Sequence, residues 1–143
     1  MIALLALMLA LARTITVQAP NEPLTLEIAD TEATREYGLM FRTQLAAHSG
    51  MIFVNGADIR DTFWMKNTLI PLDMLFVRAN GTIDSIAADV PAQTAKTPGE
   101  EIQRAGYGKY VIELAAGEAK RAGLHPGFKL TIPKLEPRDS GAS

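Results

Sequence analysis

The stretch Leu72-Asp73-Met74-Leu75-Phe76-Val77-Arg78-Ala79-Asn80-Gly81-Thr82-Ile83-Asp84-Ser85-Ile86 decides the fold class. Leu72 to Val77 is predominantly apolar and Thr82 to Ile86 alternates. Asn80-Gly81 between them tolerates the positive φ of a type I′ turn, so the segment reads as a β-hairpin. Working toward the N-terminus, Phe63-Trp64-Met65 and Met51-Ile52-Phe53-Val54 read as two short strands separated by the turn residues Asn55-Gly56-Ala57-Asp58. Leu24, Leu26 and Ile28 alternate with Thr25, Glu27 and Ala29, the period of a strand with one buried face. Asp30 or Thr31 caps a short helix carrying Glu32 and Glu36, which Gly38 stops. Toward the C-terminus, Pro91 to Gly108 is rich in Pro, Gly and charge and reads as a long loop that rims a site. Tyr110 to Leu114 is a strand, Glu118 to Ala122 a helical turn stopped by Gly123, and Phe128 to Ile132 a closing strand. These elements predict an α+β domain, mainly antiparallel, with a strongly curved sheet or partial β-barrel and two short helices.

The chain has 143 residues, 48% of them apolar, enough for one domain that needs neither disulfide nor structural metal. Fourteen Lys plus Arg against 16 Asp plus Glu leave a net charge of -2, without the basic face that nucleic acid requires. No cysteine is present, which excludes thiol catalysis and thiolate metal sites. Ile2 to Ala12 consists only of Ala, Leu, Ile and Met. The run is shorter than the roughly 20 residues of a membrane span and reads as a signal-peptide core. Val17-Gln18-Ala19 places short side chains where a signal peptidase reads them. The expected organisation is a signal peptide over 1–19, a globular domain over 20–133 and a polar tail over 134–143. That implies a periplasmic or secreted protein with no stable membrane anchor after cleavage.

Most catalytic chemistries find no support. His48 and His125 are far apart in sequence and lack metal-ligand spacing, so no metal site or cofactor is expected. Ser49-Gly50 lacks the setting of a nucleophile elbow, and no glycine pattern fits a dinucleotide or phosphate loop. Met40, Met51, Met65 and Met74 read as flexible core filler.

Gly38-Leu39-Met40-Phe41-Arg42, Gly50-Met51-Ile52-Phe53, Phe63-Trp64-Met65-Lys66-Asn67-Thr68-Leu69-Ile70-Pro71-Leu72-Asp73, and Val111-Ile112-Glu113-Leu114 with Gly117 occur in that order. Together they resemble domain of unknown function family 192, over Leu24 to Ile132. The resemblance implies a compact, mainly β domain, often exported in bacteria, with no established activity.

The residues themselves suggest two roles. In one, Asn67 and Asp73 hold an irregular turn through backbone hydrogen bonds, and Arg42 pairs internally with Asp73 or Glu113. In the other, Arg42, Trp64, Asn67, Thr68 and Asp73 converge, with Glu113, on a small polar ligand, an envelope glycan or a protein partner. A hydrolase would instead use Asp73 and Glu113 as acid and base. Non-catalytic binding is the expected role, with a purely structural or scaffolding module as the other non-enzymatic possibility.

Overall fold

The computed structural model describes residues 12–139. Most of the apolar run and the end of the polar tail therefore lie outside the described residues. Six strands form one open mixed sheet: β1 (Thr14–Gln18), β2 (Pro23–Ala29), β3 (Ser49–Trp64), β4 (Leu72–Val77), β5 (Ile83–Val90) and β6 (Gln103–Ala115), in the order β1-β2-β3-β6-β4-β5. Every neighbouring pair is antiparallel except β2 and β3. A parallel pair needs a crossover, and this one carries helix α1 (Glu32–Tyr37). The second helix, α2 (Glu118–Ala122), follows β6 directly. The mainly β architecture and the two short helices are present, and the sheet is open, not a closed barrel, with β1 and β5 at its edges.

Side-chain alternation divides the core into two layers. Leu26, Ile52, Leu75, Ile112 and Leu114 face one way, beneath Ala119 and Ala122 of α2 and the segment through Leu130. Met51, Phe53, Met74, Phe76 and Val111 face the other, beneath Leu39, Met65 and Ile102. All six residues of β4 are buried because both sides of the central sheet are covered.

Thr31 caps α1, accepting from the Thr34 N–H at 3.1 Å, and Gly38 ends it with φ 51°. The β4–β5 hairpin forms as expected, with a different turn. Arg78 and Thr82 flank a three-residue loop in which the Gly81 N–H donates to the Arg78 carbonyl at 2.8 Å and Gly81 alone has positive φ. The Asn80 carboxamide oxygen accepts from the Thr82 N–H at 2.9 Å, so its short polar side chain shapes the turn without a left-handed backbone.

Four expectations shift. The two short strands expected around Asn55–Asp58 are a single β3 of 16 residues, with an irregularity between Val54 and Ile59 where the register on β6 shifts. The loop expected through Gly108 ends earlier, because β6 begins at Gln103. Phe128–Ile132 makes only an isolated bridge, Lys129 to Thr82, and is no full strand. Residues 14–18, placed within a leader by their sequence, pair with β2, and Val17 is buried in the core. Arg13 also pairs with Asp30 at 3.0 Å. The folded domain therefore begins before residue 20.

Candidate functional site: a cleft over Glu113

A cleft of ≈ 250 Å³ opens on the methionine-rich face of the sheet. Arg35, Tyr37 and Gly38 come from α1 and its end, Asn55, Asp61 and Trp64 from β3, Lys66 and Thr68 from the following loop, and Glu113 from β6. Backbone hydrogen bonds fasten these segments together. The Phe41 N–H donates to the Asn67 carbonyl at 2.8 Å, and the Asn67 N–H donates to Gln93 Oε1 at 2.8 Å. Phe41 and Asn67 both have positive φ, 65° and 53°. Asn tolerates that conformation through its short polar side chain, whereas an aromatic residue there is strained by roughly 1–3 kcal/mol. Phe41 is also 57% exposed, with its ring 6.1 Å from that of Tyr37, so burial offsets the strain only in part.

Glu113 is 4% exposed and its carboxyl has no hydrogen-bond or ionic partner among the described residues. The register explains its setting: Glu113 lies opposite Met51 on β3 and Met74 on β4, in an apolar layer that also holds Phe53 and Phe76. Burial pushes the carboxyl up to about 8, so at neutral pH it is protonated and offers one O–H donor with an acceptor oxygen. Trp64, 39% exposed, lies beneath the Lys66 ammonium, which is 5.1 Å from the ring centroid. Among the described residues, Lys66 has no carboxylate partner.

Of the residues expected to converge, Trp64 and Thr68 line the cleft with Glu113, and Asn67 braces it from behind. Arg42 and Asp73 do not join them. The Arg42 guanidinium grips both carboxylate oxygens of Glu27 on β2, so its partner is neither Asp73 nor Glu113. Asp73 lies opposite Leu114 while Met74 lies opposite Glu113. Directly opposed residues share a face, so the two acids point to opposite sides of the sheet and cannot form an acid–base pair across one substrate. Asp73 is instead a structural acceptor: its oxygens receive the N–H groups of Asp89 at 2.9 Å and of Gly117 and Ala119 at 3.0 Å each. A hollow of ≈ 640 Å³ beside it is larger than the Glu113 cleft, but its one buried acid is already bonded on both oxygens.

The Pro91–Gly108 segment does not rim the cleft as expected. Gly99 and Ile102 accept the Met65 N–H, each at 3.1 Å, and a Cβ on Gly99 would lie 2.1 Å from the Met65 carbonyl oxygen. The segment thus buttresses the Trp64–Pro71 loop from outside. Arg35, Asn55, Asp61 and Lys66 were not among the expected ligand-binding residues. Lys66 stood inside the quoted motif, and its lack of an acidic neighbour is visible only in three dimensions. Glu22, His48 and Glu118 also gather, with ligand-capable atoms within 4.8 Å of one another, although nothing in their sequence spacing announces it. Arg121 and His48 face Glu118 there, at 3.0 and 3.2 Å.

A structure from Novosphingobium aromaticivorans, of a protein of unknown function, is 36% identical with a TM-score of 0.69, and the match covers 85% of both chains. A structure from Sinorhizobium meliloti, described as a candidate transcription regulator, is 37% identical with a TM-score of 0.71, covering 82% of this chain and 91% of that one. None of the curated proteins matches. The family pattern described as "Uncharacterized ACR" matches residues 14–132, a span that includes β1, all of β2 to β6 and every residue of the Glu113 cleft. The chain belongs to this family, domain of unknown function family 192.

Proposed function

We propose that the protein is an exported, non-catalytic binding module whose Glu113 cleft takes a small polar ligand. The observation that carries this reading is the Glu113 carboxyl, buried without a partner yet lining an opening to solvent. The carboxyl faces the opening and takes no hydrogen bond from the protein, so a ligand in the cleft can supply the hydrogen bonds that no protein group provides. Strain at Phe41 beside the same opening agrees, since strained backbone concentrates at functional sites. Exposed rings of Tyr37 and Trp64 on the cleft wall suit stacking on a sugar or another flat group, which favours an envelope glycan fragment among polar ligands. The hydrolase alternative loses its Asp73–Glu113 pair, and a net charge of -2 gives no support to a nucleic-acid role.

Thermal-shift screening of sugars, organic acids and amino acids tests the reading. A ligand at 100 times its Kd adds about 2.7 kcal/mol, a rise of several degrees for a domain of this size. Trp64→Ala removes a ring that is more than half buried, so it should lower the melting temperature of the unliganded protein and also lose the ligand-induced rise, which is read against the variant's own baseline. A library in which no compound moves the parent protein abandons the small-ligand reading in favour of a structural module.

Export is part of the proposal, with the leader ending ahead of β1. Cleavage after Ala19 would remove a paired strand and the buried Val17, whereas Ala10-Leu11-Ala12 puts small residues where a signal peptidase reads them and leaves Arg13 to pair with Asp30. N-terminal sequencing of the protein recovered from the periplasm or medium is expected to begin near Arg13. A start at Pro20 refutes that boundary.

A further inference from the structure

We propose that the ligand of the Glu113 cleft is a small carboxylate, held by Lys66 and Glu113 together. This rests on the ligand-binding reading above and adds the chemical class. Most polar groups in the cleft already have partners. Arg35 donates to the Val54 carbonyl and to Asp139, each at 3.3 Å, while Asp61 accepts from Asn55 at 2.8 Å and from the Thr62 N–H at 2.9 Å. The Thr68 hydroxyl donates to the Lys66 carbonyl at 3.1 Å. Glu36 is exposed and its charge is screened by solvent. Setting aside the exposed Tyr37, Thr62 and Trp64, whose polar atoms water reaches, two groups remain: the half-buried Lys66 ammonium, whose contact is the Trp64 ring, and the buried Glu113 carboxyl.

Charge and donor inventory then select the ligand. Lys66 carries one positive charge, three donors and no acceptor, and a neutral carboxyl contributes one further donor. A carboxylate is acceptor-only and carries the single negative charge that Lys66 lacks, so it satisfies both groups by charge-assisted hydrogen bonds. An amine would meet like charge at Lys66, and a neutral alcohol would leave the ammonium uncompensated. The charged groups that share the cleft with Glu113 are Arg35 and Glu36 from α1, Asp61 from β3 and Lys66. The β3 and β4 neighbours directly across from it, Met51 and Met74, carry no charge. Raising the pH ionises Glu113, removes its donor and sets its charge against the ligand's, so a carboxylate is released in alkali.

The test is calorimetric titration of the full chain with matched probes: glucuronate, glucose and glucosamine, then lactate and lactamide. At pH 6.5 a carboxylate is expected to bind at least tenfold more tightly than its neutral or amine counterpart, and to weaken about tenfold by pH 9. Lys66→Met should lose at least tenfold. Glu113→Gln keeps a donor, so it should bind at pH 6.5 and show no weakening at pH 9, a signature that a merely structural Glu113 would not produce. Circular dichroism at each pH confirms that every variant is folded. Equal or tighter binding of the neutral or amine probes overturns the carboxylate assignment and leaves the cleft reading standing. Absence of binding by every probe overturns both.

Discussion

At pH 9 the Glu113→Gln protein is expected to be more stable than the parent, by up to roughly 5 kcal/mol, and near pH 4 the two should be almost equal. In the folded protein Glu113 keeps its proton to about 8, against an ordinary value of 4.5. Between those values unfolding releases a proton, because the unfolded chain binds fewer. The parent's stability is therefore fully present below 4.5, declines as the pH rises, and levels off above about 8. Gln fills nearly the same volume, cannot ionise and has no such decline. The figure is a ceiling, since water entering the cleft solvates the ionised carboxylate. Urea denaturation of both proteins from pH 4 to 9.5 measures the effect. The titrations of all other groups cancel in the difference between the curves, and parallel curves would refute the buried, unpartnered state of Glu113.

The parts of this fold that can be read in the sequence are those whose residues report on themselves. The alternation of Leu24, Leu26 and Ile28, the Thr31 cap and the β4–β5 hairpin each depend on neighbours within a few positions, and each is present. Where a long-range contact dictates the residue, local signals mislead. Gly106 and Gly108 resemble loop glycines, yet they lie in β6, because a Cβ on Gly106 would be 2.2 Å from the Phe76 ring and one on Gly108 2.3 Å from the Val77 carbonyl oxygen. Asn55-Gly56 resembles a turn and instead sits where β3 shifts register while continuing as one strand. Val17 and Ala19 look like a processing signal and are buried in the domain. The candidate site divides in the same way. Trp64, Thr68 and Glu113 stand in recognisable motifs and do meet, but which face each acid takes depends on the β4–β6 register, to which sequence spacing is blind.

The second large effect concerns the acid on the other face. Asp73→Ala is expected to destabilise the fold by roughly 3–5 kcal/mol, since three N–H groups that share one carboxylate each lose their acceptor at about 1–3 kcal/mol apiece, partly recovered where water enters. The bond to Ala119 is buried, and the N–H groups of Gly117 and Ala119 belong to the start of α2, whose Ala119 and Ala122 cap the core layer through Leu114. The third N–H belongs to Asp89, whose φ is 52°. Asp73→Asn retains one acceptor oxygen but turns an NH₂ toward an N–H, so it should fall between Ala and the parent. Denaturant midpoints measure the stability of all three proteins. Ligand titration at low temperature, where the variants stay folded, separates the two acids: Asp73 variants should bind like the parent because the sheet lies between them and the cleft. Loss of binding in folded Asp73→Asn, with stability little changed, would place Asp73 in the site after all and contradict the register that points it away.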